Sequence, residues 1–394
     1  MPRLPLLLQA PVLSQSGYGA HARDIFNAVF DSQDWDVYLS PTGWGGTSSS
    51  TNFSSEFLDK VMFAVSRQVP SKDFLWFQLG IPTEFEHRGK VSIGITAGAE
   101  GDVVSRLFVE GCQKMDCVIV PSHFTKQVFI RSGVTATLMP IIFEPFSESD
   151  YDISKPAELQ VPTAFNFLTV GQWLGNNSLE DRKGVGFLIR EFTKLFHGRK
   201  DVGLILKIFC KNLSSADRFV TTERIRSIQG VDSSNPPIYL LHGDLTSSEM
   251  WGLYKSPKIG AFILPTHGEG FGRPLLEAAV AGLPVLTTGW GGQTDFLQRE
   301  NHTLFDYNLR AIPKSQYQLP IWCPGMRWAV PDEDQIRYHM KRIVENQEPY
   351  RAKAQKAVEG LKVQFSTKAF KESLLLTLDR FRQELIGSKI IRLS

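Results

Sequence analysis

The sequence predicts a two-domain α/β protein with parallel sheets covered by helices on both faces, and three observations lead there. The chain has 394 residues, 42% of them hydrophobic, 11% aromatic and 21% charged, with a formal net charge of +2. That is a globular composition, and at roughly 150 residues per domain the length suggests two domains with a cleft between them. Short apolar runs flanked by turn residues alternate with longer amphipathic stretches almost from end to end, the mark of strand–helix–strand units. A polar segment rich in Glu, Ser, Asp and Pro, Glu144–Leu159, is the best linker and places the junction near residue 155.

Taken in order, Leu4–Leu8 reads as a buried first strand. It resembles the start of a signal peptide, but the apolar run is short and interrupted by Pro5. Strands follow at Phe74–Leu79, Val91–Thr96, Cys117–Val120 and Thr137–Ile142, with helical spacing over Ala20–Phe30 and Val103–Lys114. The second half repeats the pattern. Its strands are Phe165–Val170, Leu204–Phe209, Ile238–Leu241, Ala261–Leu264 and Val285–Thr288, and helices fill Val185–Phe196, Ser247–Tyr254 and Pro274–Ala281. After Pro331 the chain turns helical, and Phe370, Leu374, Leu375, Leu378, Phe381 and Leu385 recur at three- and four-residue spacing, a docking stripe for a terminal helix. The expected division is 1–155, 156–370 and a terminal helix over 371–394. No apolar run approaches the roughly 20 residues of a membrane span, which leaves only peripheral membrane contact open.

Charge is uneven. Residues 1–155 hold 12 Lys and Arg against 17 Asp and Glu, a net −5, while the remainder holds 31 against 24, a net +7. Anionic ligands against the second half would account for this, as would ordinary surface variation. Nucleic acid is disfavoured by the acidic first half but left open. Cys112, Cys117, Cys210 and Cys323 show no CxxC spacing, so neither a disulfide framework nor a zinc site is expected, and a reducing cytoplasm is the default.

The chemistry concentrates in residues 259–297. A buried strand enters the loop Gly268-Glu269-Gly270-Phe271-Gly272, and a helix follows with Pro274 suited to its first turn, Gly282 to its C-terminal cap and Pro284 just beyond. Glycines before a helix N-terminus let backbone N–H groups approach phosphate or sugar oxygens. Glu269 in the loop and Glu277 one turn into the helix can bind two hydroxylated parts of one ligand. On physical grounds alone, a solvated Glu269 and a Glu277 that complements the helix dipole serve as well.

This stretch resembles the signature of the retaining glycosyltransferases of family 4, which share the two-domain GT-B fold of Rossmann-like units. Their Glu-x7-Glu pattern in a Glu-Gly-Phe-Gly setting reads here Glu269-Gly-Phe-Gly-Arg-Pro-Leu-Leu-Glu277. The resemblance implies that Glu269 lies by the donor sugar, that Glu277 holds the nucleotide ribose, and that the Gly270, Phe271 and Gly272 backbone closes on sugar and phosphate. Asp181-Arg182-Lys183-Gly184 precedes a helix, where adjacent cations suit a diphosphate or stand as an exposed pair. By resemblance Lys183 is the donor-diphosphate lysine, with Arg182 beside it. The family's other arginine, in a Gly-Arg pair after the preceding strand, is replaced by Gly171-Gln172, and Trp173–Glu180 is inserted before Lys183.

Ser14-Gln15-Ser16-Gly17-Tyr18-Gly19 resembles the family's first-strand glycine loop, so Gly17 and Gly19 are expected to face the donor; an ordinary strand–helix turn reads the same way. Many relatives carry a histidine after a strand of the first domain. The corresponding Gly94–Asp102 has none and resembles a branch with glutamate there, followed by Val120-Pro121-Ser122, making Glu100 a sugar or acceptor contact or else a carboxylate starting the next helix. His267 can reach substrate or serve structure, and Thr288–Gly292 with Asp295 match the loop near the nucleotide. The resemblance implies a hexosyl- or pentosyltransferase. It would use a nucleotide-sugar co-substrate, UDP- or GDP-linked, without another cofactor. No Asp-x-Asp cluster stands where a metal-bridged diphosphate would need one, so metal independence is expected. The acceptor, whether glycan, lipid-linked or other, is not readable. The alternatives are a transferase acting on a modified nucleic-acid base and a non-catalytic nucleotide-sugar or glycan-binding protein of the same fold.

Overall fold

A computed structural model describes residues 3–386 except 48, 51, 52, 70–72, 136, 147–155 and 176. The chain folds into two compact units. One comprises Met1–Gly98, Val104–Pro145 and Thr367–Ser394, the other Ala99–Val103 and Phe146–Ser366. The junction expected at residue 155 and the end of the terminal segment, 387–394, lie outside the described residues.

The first unit runs β1 (Leu4–Ala10), α1 (Gly17–Phe30), β2 (Trp35–Pro41), α2 (Ser55–Ser66), β3 (Leu75–Leu79), β4 (Val91–Ile95), α3 (Arg106–Cys112), β5 (Cys117–Ile119) and α4 (His123–Arg131). Its sheet is parallel throughout, in the order β2-β1-β3-β4-β5. Leu6, Leu8 and Ala10 of β1 are fully buried, and Ala22, Ile25, Phe26 and Val29 lay the apolar stripe of α1 on them. The docking stripe Phe370, Leu374, Leu378, Phe381 and Leu385, on the helices Thr367–Asp379 and Arg382–Ile386, belongs to the same core. Arg382 anchors it by pairing with Asp34.

Two expectations here are corrected. Thr137–Ile142 is not a strand; Leu138 and Ile141 make isolated bridges to Cys117 and Val120, because Pro140 has no N–H to give a ladder. The helix expected over Val103–Lys114 is shorter at both ends, since the Val104 N–H bonds Ser132 Oγ at 2.9 Å and Ser105 caps the helix.

The second unit continues with β6 (Phe165–Gln172), α5 (Val185–Leu195), β7 (Val202–Phe209), α6 (Ser215–Gln229), β8 (Ile238–Leu240), α7 (Ser247–Lys255), β9 (Ile259–Leu264), α8 (Arg273–Val280), β10 (Val285–Thr288) and β11 (Thr303–Phe305). An antiparallel hairpin, β12 (Tyr307–Ala311) and β13 (Arg327–Pro331), and helices α9 (Glu333–Glu345), α10 (Glu348–Gln355) and α11 (Val358–Gln364) complete it. The main sheet is parallel in the order β11-β10-β9-β6-β7-β8. All six residues of β9 and all four of β10 are buried, as expected of parallel strands covered on both faces, and β10 ends in two buried threonines. In α5, Val185, Leu188, Ile189 and Phe192 are fully buried at i, i+3, i+4 and i+7, the spacing that makes one helical stripe.

That strand order fixes where a ligand goes. From β6 the chain crosses through α5 to β7 on one side, and from its neighbour β9 it crosses through α8 to β10 on the other. The loops leaving β6 and β9 therefore diverge at a topological switch point, where open parallel sheets hold their ligands beyond the strand C-termini. Asp181–Gly184 leads from β6 into α5, and Thr266–Gly272 leads from β9 into α8.

Candidate active site

Four of the expected residues meet at this switch point. Glu269 Oε1 accepts from Lys183 Nζ at 2.8 Å, from Arg182 Nη1 at 2.9 Å and from Thr266 Oγ1 at 3.1 Å. Arg182 Nη1 also reaches the Gly268 carbonyl at 2.5 Å, and its Nη2 lies 3.1 Å from Glu100 Oε1. All four side chains lie within the second unit, because Ala99–Val103 packs as part of it. Asp102 secures that segment. Its Oδ1 and Oδ2 accept from Arg327 N at 2.7 Å and Arg327 Nε at 2.8 Å, and its N–H donates to the Arg327 carbonyl at 2.8 Å. Trp322 Nε1 donates to Glu100 Oε2 at 3.2 Å.

Burial sets the electrostatics. It raises the Glu100 carboxyl above the usual range, with the Arg182 cation opposing. It would raise Glu269 too, but Arg182 and Lys183 together outweigh it and hold that carboxyl below the usual range. Lys183 is lowered by burial despite Glu269. Asp181 is pushed up by burial to about 6, against the N–H groups of Gly186 and Val185 that bond it at 3.0 and 3.1 Å and begin α5. His267 is driven by burial to about 4 and is neutral at pH 7. Its Nδ1 lies 2.6 Å from the Ala329 carbonyl, and its ring stacks on Trp328 at 4.7 Å. The histidine left open by the sequence is thus tied to β13.

The glycine loop behaves as expected at its helix. Gly272 is the N-cap of α8 with φ +96°, a conformation that costs a side chain but not glycine, and Pro274 follows in the first turn. Gly282 lies just past α8 with φ +79°. The Gly292 N–H bonds the Glu269 carbonyl at 2.8 Å, so the Thr288–Gly292 loop rests directly on the Glu269 loop. Glu277 has other partners: Tyr254 OH donates to its Oε2 at 2.9 Å, and Arg273 Nε lies 3.5 Å from its Oε1.

Gly17 and Gly19 belong to the first unit, and the expected loop is a helix. Both lie in the first turn of α1, where Ser16 Oγ accepts from the Gly19 N–H at 3.0 Å. A Cβ at Gly19 would overlap the Ser14 carbonyl, so close packing alone accounts for that glycine. The insertion Trp173–Glu180 is anchored at both ends. Trp173 is fully buried, and Ser315 Oγ donates to Glu180 Oε2 at 2.5 Å. Gln172 donates to the Cys210 carbonyl at 3.2 Å. Among the described residues no group of three or more His, Cys, Asp or Glu could hold a metal ion, and no helix is long and apolar enough to cross a membrane.

Comparison with known proteins adds a family match and a fold. Residues 166–312 match the family described as Glycosyl transferases group 1. The structure is similar to sucrose-phosphate synthase from Thermosynechococcus elongatus, with TM-score 0.62 and 15% identity over 98% of this chain and 100% of that one. It is similar also to Anabaena HepE in complex with UDP and glucose, with TM-score 0.61 and 14% identity over 96% and 100%. The fold is GT-B. Among curated proteins, 2-deoxystreptamine N-acetyl-D-glucosaminyltransferase of Niallia circulans is 53% identical over 34 residues, which span 9% of this chain and 9% of that protein. The group 1 match on a GT-B fold supports a glycosyltransferase, and the matched stretch contains Arg182, Lys183, Glu269 and Glu277.

Sequence reasoning missed three partners: Thr266, Trp322 and Tyr254. Trp322 lies 222 positions from the Glu100 it bonds, and no local pattern announces such a pair. The two tryptophans of Ile321–Trp328 did offer a signal, since Trp322 and Trp328 form a small buried cluster with Ile312 and Met326 beside the Glu100 segment.

Proposed function

We propose that the chain is a retaining glycosyltransferase of family 4, moving a hexose or pentose from a nucleotide-diphosphate sugar to an acceptor hydroxyl without a metal. The observation that carries this reading is the pair of buried cations, Arg182 and Lys183, gathered on Glu269 at the switch point of the second sheet. As the glycosidic bond breaks, negative charge grows on the leaving diphosphate. Lys183 and Arg182 stabilise it, aided by N–H groups of the Gly270–Gly272 loop, in a site where low dielectric strengthens each contact. They take the part a divalent cation plays elsewhere.

Glu269 stays ionised beside its cations, so it steadies positive charge on the sugar and does not act as a proton donor. The leaving phosphate oxygen takes the acceptor's proton on the same face, which retains configuration. Glu277, steadied by Tyr254, binds the ribose. Glu100, hydrogen-bonded to Trp322 beside Arg182, contacts the sugar or acceptor. The donor is UDP- or GDP-linked, and the HepE structures with UDP and UDP-glucose support a nucleotide-sugar donor. A cytoplasmic location accords with four free cysteines.

The test is nucleoside diphosphate release from UDP-, GDP-, ADP- and TDP-sugars, without acceptor and with chelator present. Release from one donor, with loss of about 100-fold or more on Lys183→Ala and weakened donor use on Glu277→Ala in folded protein, is expected. Full turnover by both variants would overturn the site assignment, and chelator-sensitive release would overturn metal independence.

A further inference from the structure

The same sheet has a second opening at its other end. A cavity of about 350 Å3 is lined by Val285, the first residue of β10, and Thr303, the first residue of β11, together with side chains of α9 and α10. The Glu269 cluster follows the C-terminal ends of β6 and β9, so in a parallel sheet the cavity faces away from it. Arg299, Arg342 and Lys353 bring three cations to the wall, and among the described residues no carboxylate lines it.

These cations differ in how far they are committed. Arg299 is fixed, donating to the Leu304 carbonyl at 2.7 Å and to Asp306 Oδ1 at 2.6 Å. Arg342 reaches Glu345 Oε2 only at 3.4 Å and is more than half exposed. Lys353 has no carboxylate partner among the described residues. The cavity thus has one anchored and two movable positive groups with no anion of its own, which is the electrostatics of an anion site.

His302 is a buried part of the wall. It lines the cavity, is only 6% exposed, and accepts the Val285 N–H on Nδ1 at 3.4 Å. Burial lowers its pKa to about 4, so at neutral pH it carries a single proton, which the Nδ1 bond assigns to Nε2. That Nε2–H is buried and has no hydrogen-bond partner. Buried donors are rarely left so, because the lost bond to water is not replaced. Tyr338 and Tyr350 add ring surface for the body of a ligand, and His339 Nδ1 lies 3.1 Å from Tyr350 OH.

We propose that this cavity is a second binding site, separate from the transferase site, for a small molecule carrying a phosphate monoester, with Lys353 and Arg342 as its phosphate ligands and His302 in the wall beside them. A compact dianion matches two exposed cations. The volume is that of a small-ligand pocket and accommodates a sugar phosphate or a mononucleotide.

The test must keep the two anion sites apart, so it is made by calorimetric titration of the Lys183→Ala chain with glucose 6-phosphate, AMP and inorganic phosphate. Saturable binding of at least one ester is expected, with a stoichiometry of one per chain. It should weaken tenfold or more, about 1.4 kcal/mol, on adding Lys353→Glu or Arg342→Glu, both exposed positions whose change leaves the thermal midpoint in place. In the wild-type chain the His302 Nε2–H resonance should move on titration with the same ester. Preference for one ester identifies the ligand body, and equal binding of inorganic phosphate identifies the phosphate as the whole determinant. No saturable binding at millimolar ester would overturn the proposal. So would binding to the wild-type chain that Lys183→Ala abolishes and the Lys353 and Arg342 variants leave intact.

Discussion

Glu269 and Glu191 are both buried carboxylates that gather basic side chains, and they differ in where the cations sit. Glu191 accepts from Arg190 Nε at 2.8 Å and Arg337 Nη1 at 2.7 Å, with Lys194 at 3.9 Å, and those three cations are 34%, 36% and 68% exposed. Around Glu269 the cations Arg182 and Lys183 are themselves only 11% exposed. Water keeps the Glu191 cations solvated whatever the carboxylate does, so that cluster serves to clip α9 to α5. Arg182 and Lys183 have little water to fall back on and require an anion at all times. A cluster of the second kind costs stability unless something uses it, and a diphosphate competing with Glu269 for two preorganised cations is such a use.

The largest effect that would sharpen this comparison comes from deleting each carboxylate. Glu269→Ala leaves Lys183 buried and unpaired, and removing one partner of a buried ion pair costs ~3–5 kcal/mol. Glu191→Ala leaves cations that water can take, and the loss should be about 1 kcal/mol. Urea unfolding of both variants measures the difference. Equal losses would break the distinction between the two clusters.

How far the sequence could anticipate this follows from the same contrast. Glu269, Arg182 and Lys183 lie in short glycine-marked loops after apolar strands, so local turn chemistry and motif spacing point to them. Glu100 was visible as a residue, but its place with the second unit depends on Asp102 pairing with Arg327, 225 positions away. The sheets were legible where strands are buried on both faces, as in β3, β4, β9 and β10. The exposed strand β12 escaped because it lacks a continuous apolar run, all of it being exposed, and β2 and β13 because their apolar runs, Val37–Leu39 and Trp328–Val330, are only three residues long. Gly17 and Gly19 were read as loop because two glycines weaken helix propensity, and the Ser16 cap overrides it.

A second test uses pH. His267 is lowered from 6.5 to about 4, so its contribution to stability is fully present above pH 6.5 and lost as pH falls through about 4. His302 behaves alike. Asp181, raised from 3.8 to about 6, has the opposite sign: its contribution is present below pH 3.8 and lost as pH rises through about 6. At about 1.4 kcal/mol per pH unit the Asp181 effect amounts to about 3 kcal/mol and offsets part of the histidine effect between pH 4 and 6. Asp181→Asn should therefore make the acid loss of stability steeper, seen as a larger fall in the urea midpoint from pH 6 to pH 4. Parallel profiles for wild type and variant would mean that Asp181 is ionised in the fold. It would then belong with the Glu191 type of carboxylate.

The smallest effect separates binding from chemistry within the proposed donor site. Glu277 stands between the two types, partly exposed, with a neutral donor in Tyr254 and a cation in Arg273 among its partners. Tyr254→Phe removes a hydrogen bond to a carboxylate while keeping the ring packed, a change of about 1 to 1.5 kcal/mol. If Glu277 only holds the ribose, that energy is lost equally from ground and transition states, so the KM for donor rises roughly five- to tenfold with kcat unchanged. If kcat falls instead with KM steady, the Glu277 carboxylate acts on the reacting centre. The division of labour between Glu269 as the charged partner of the diphosphate cations and Glu277 as a binding group would then have to be reversed.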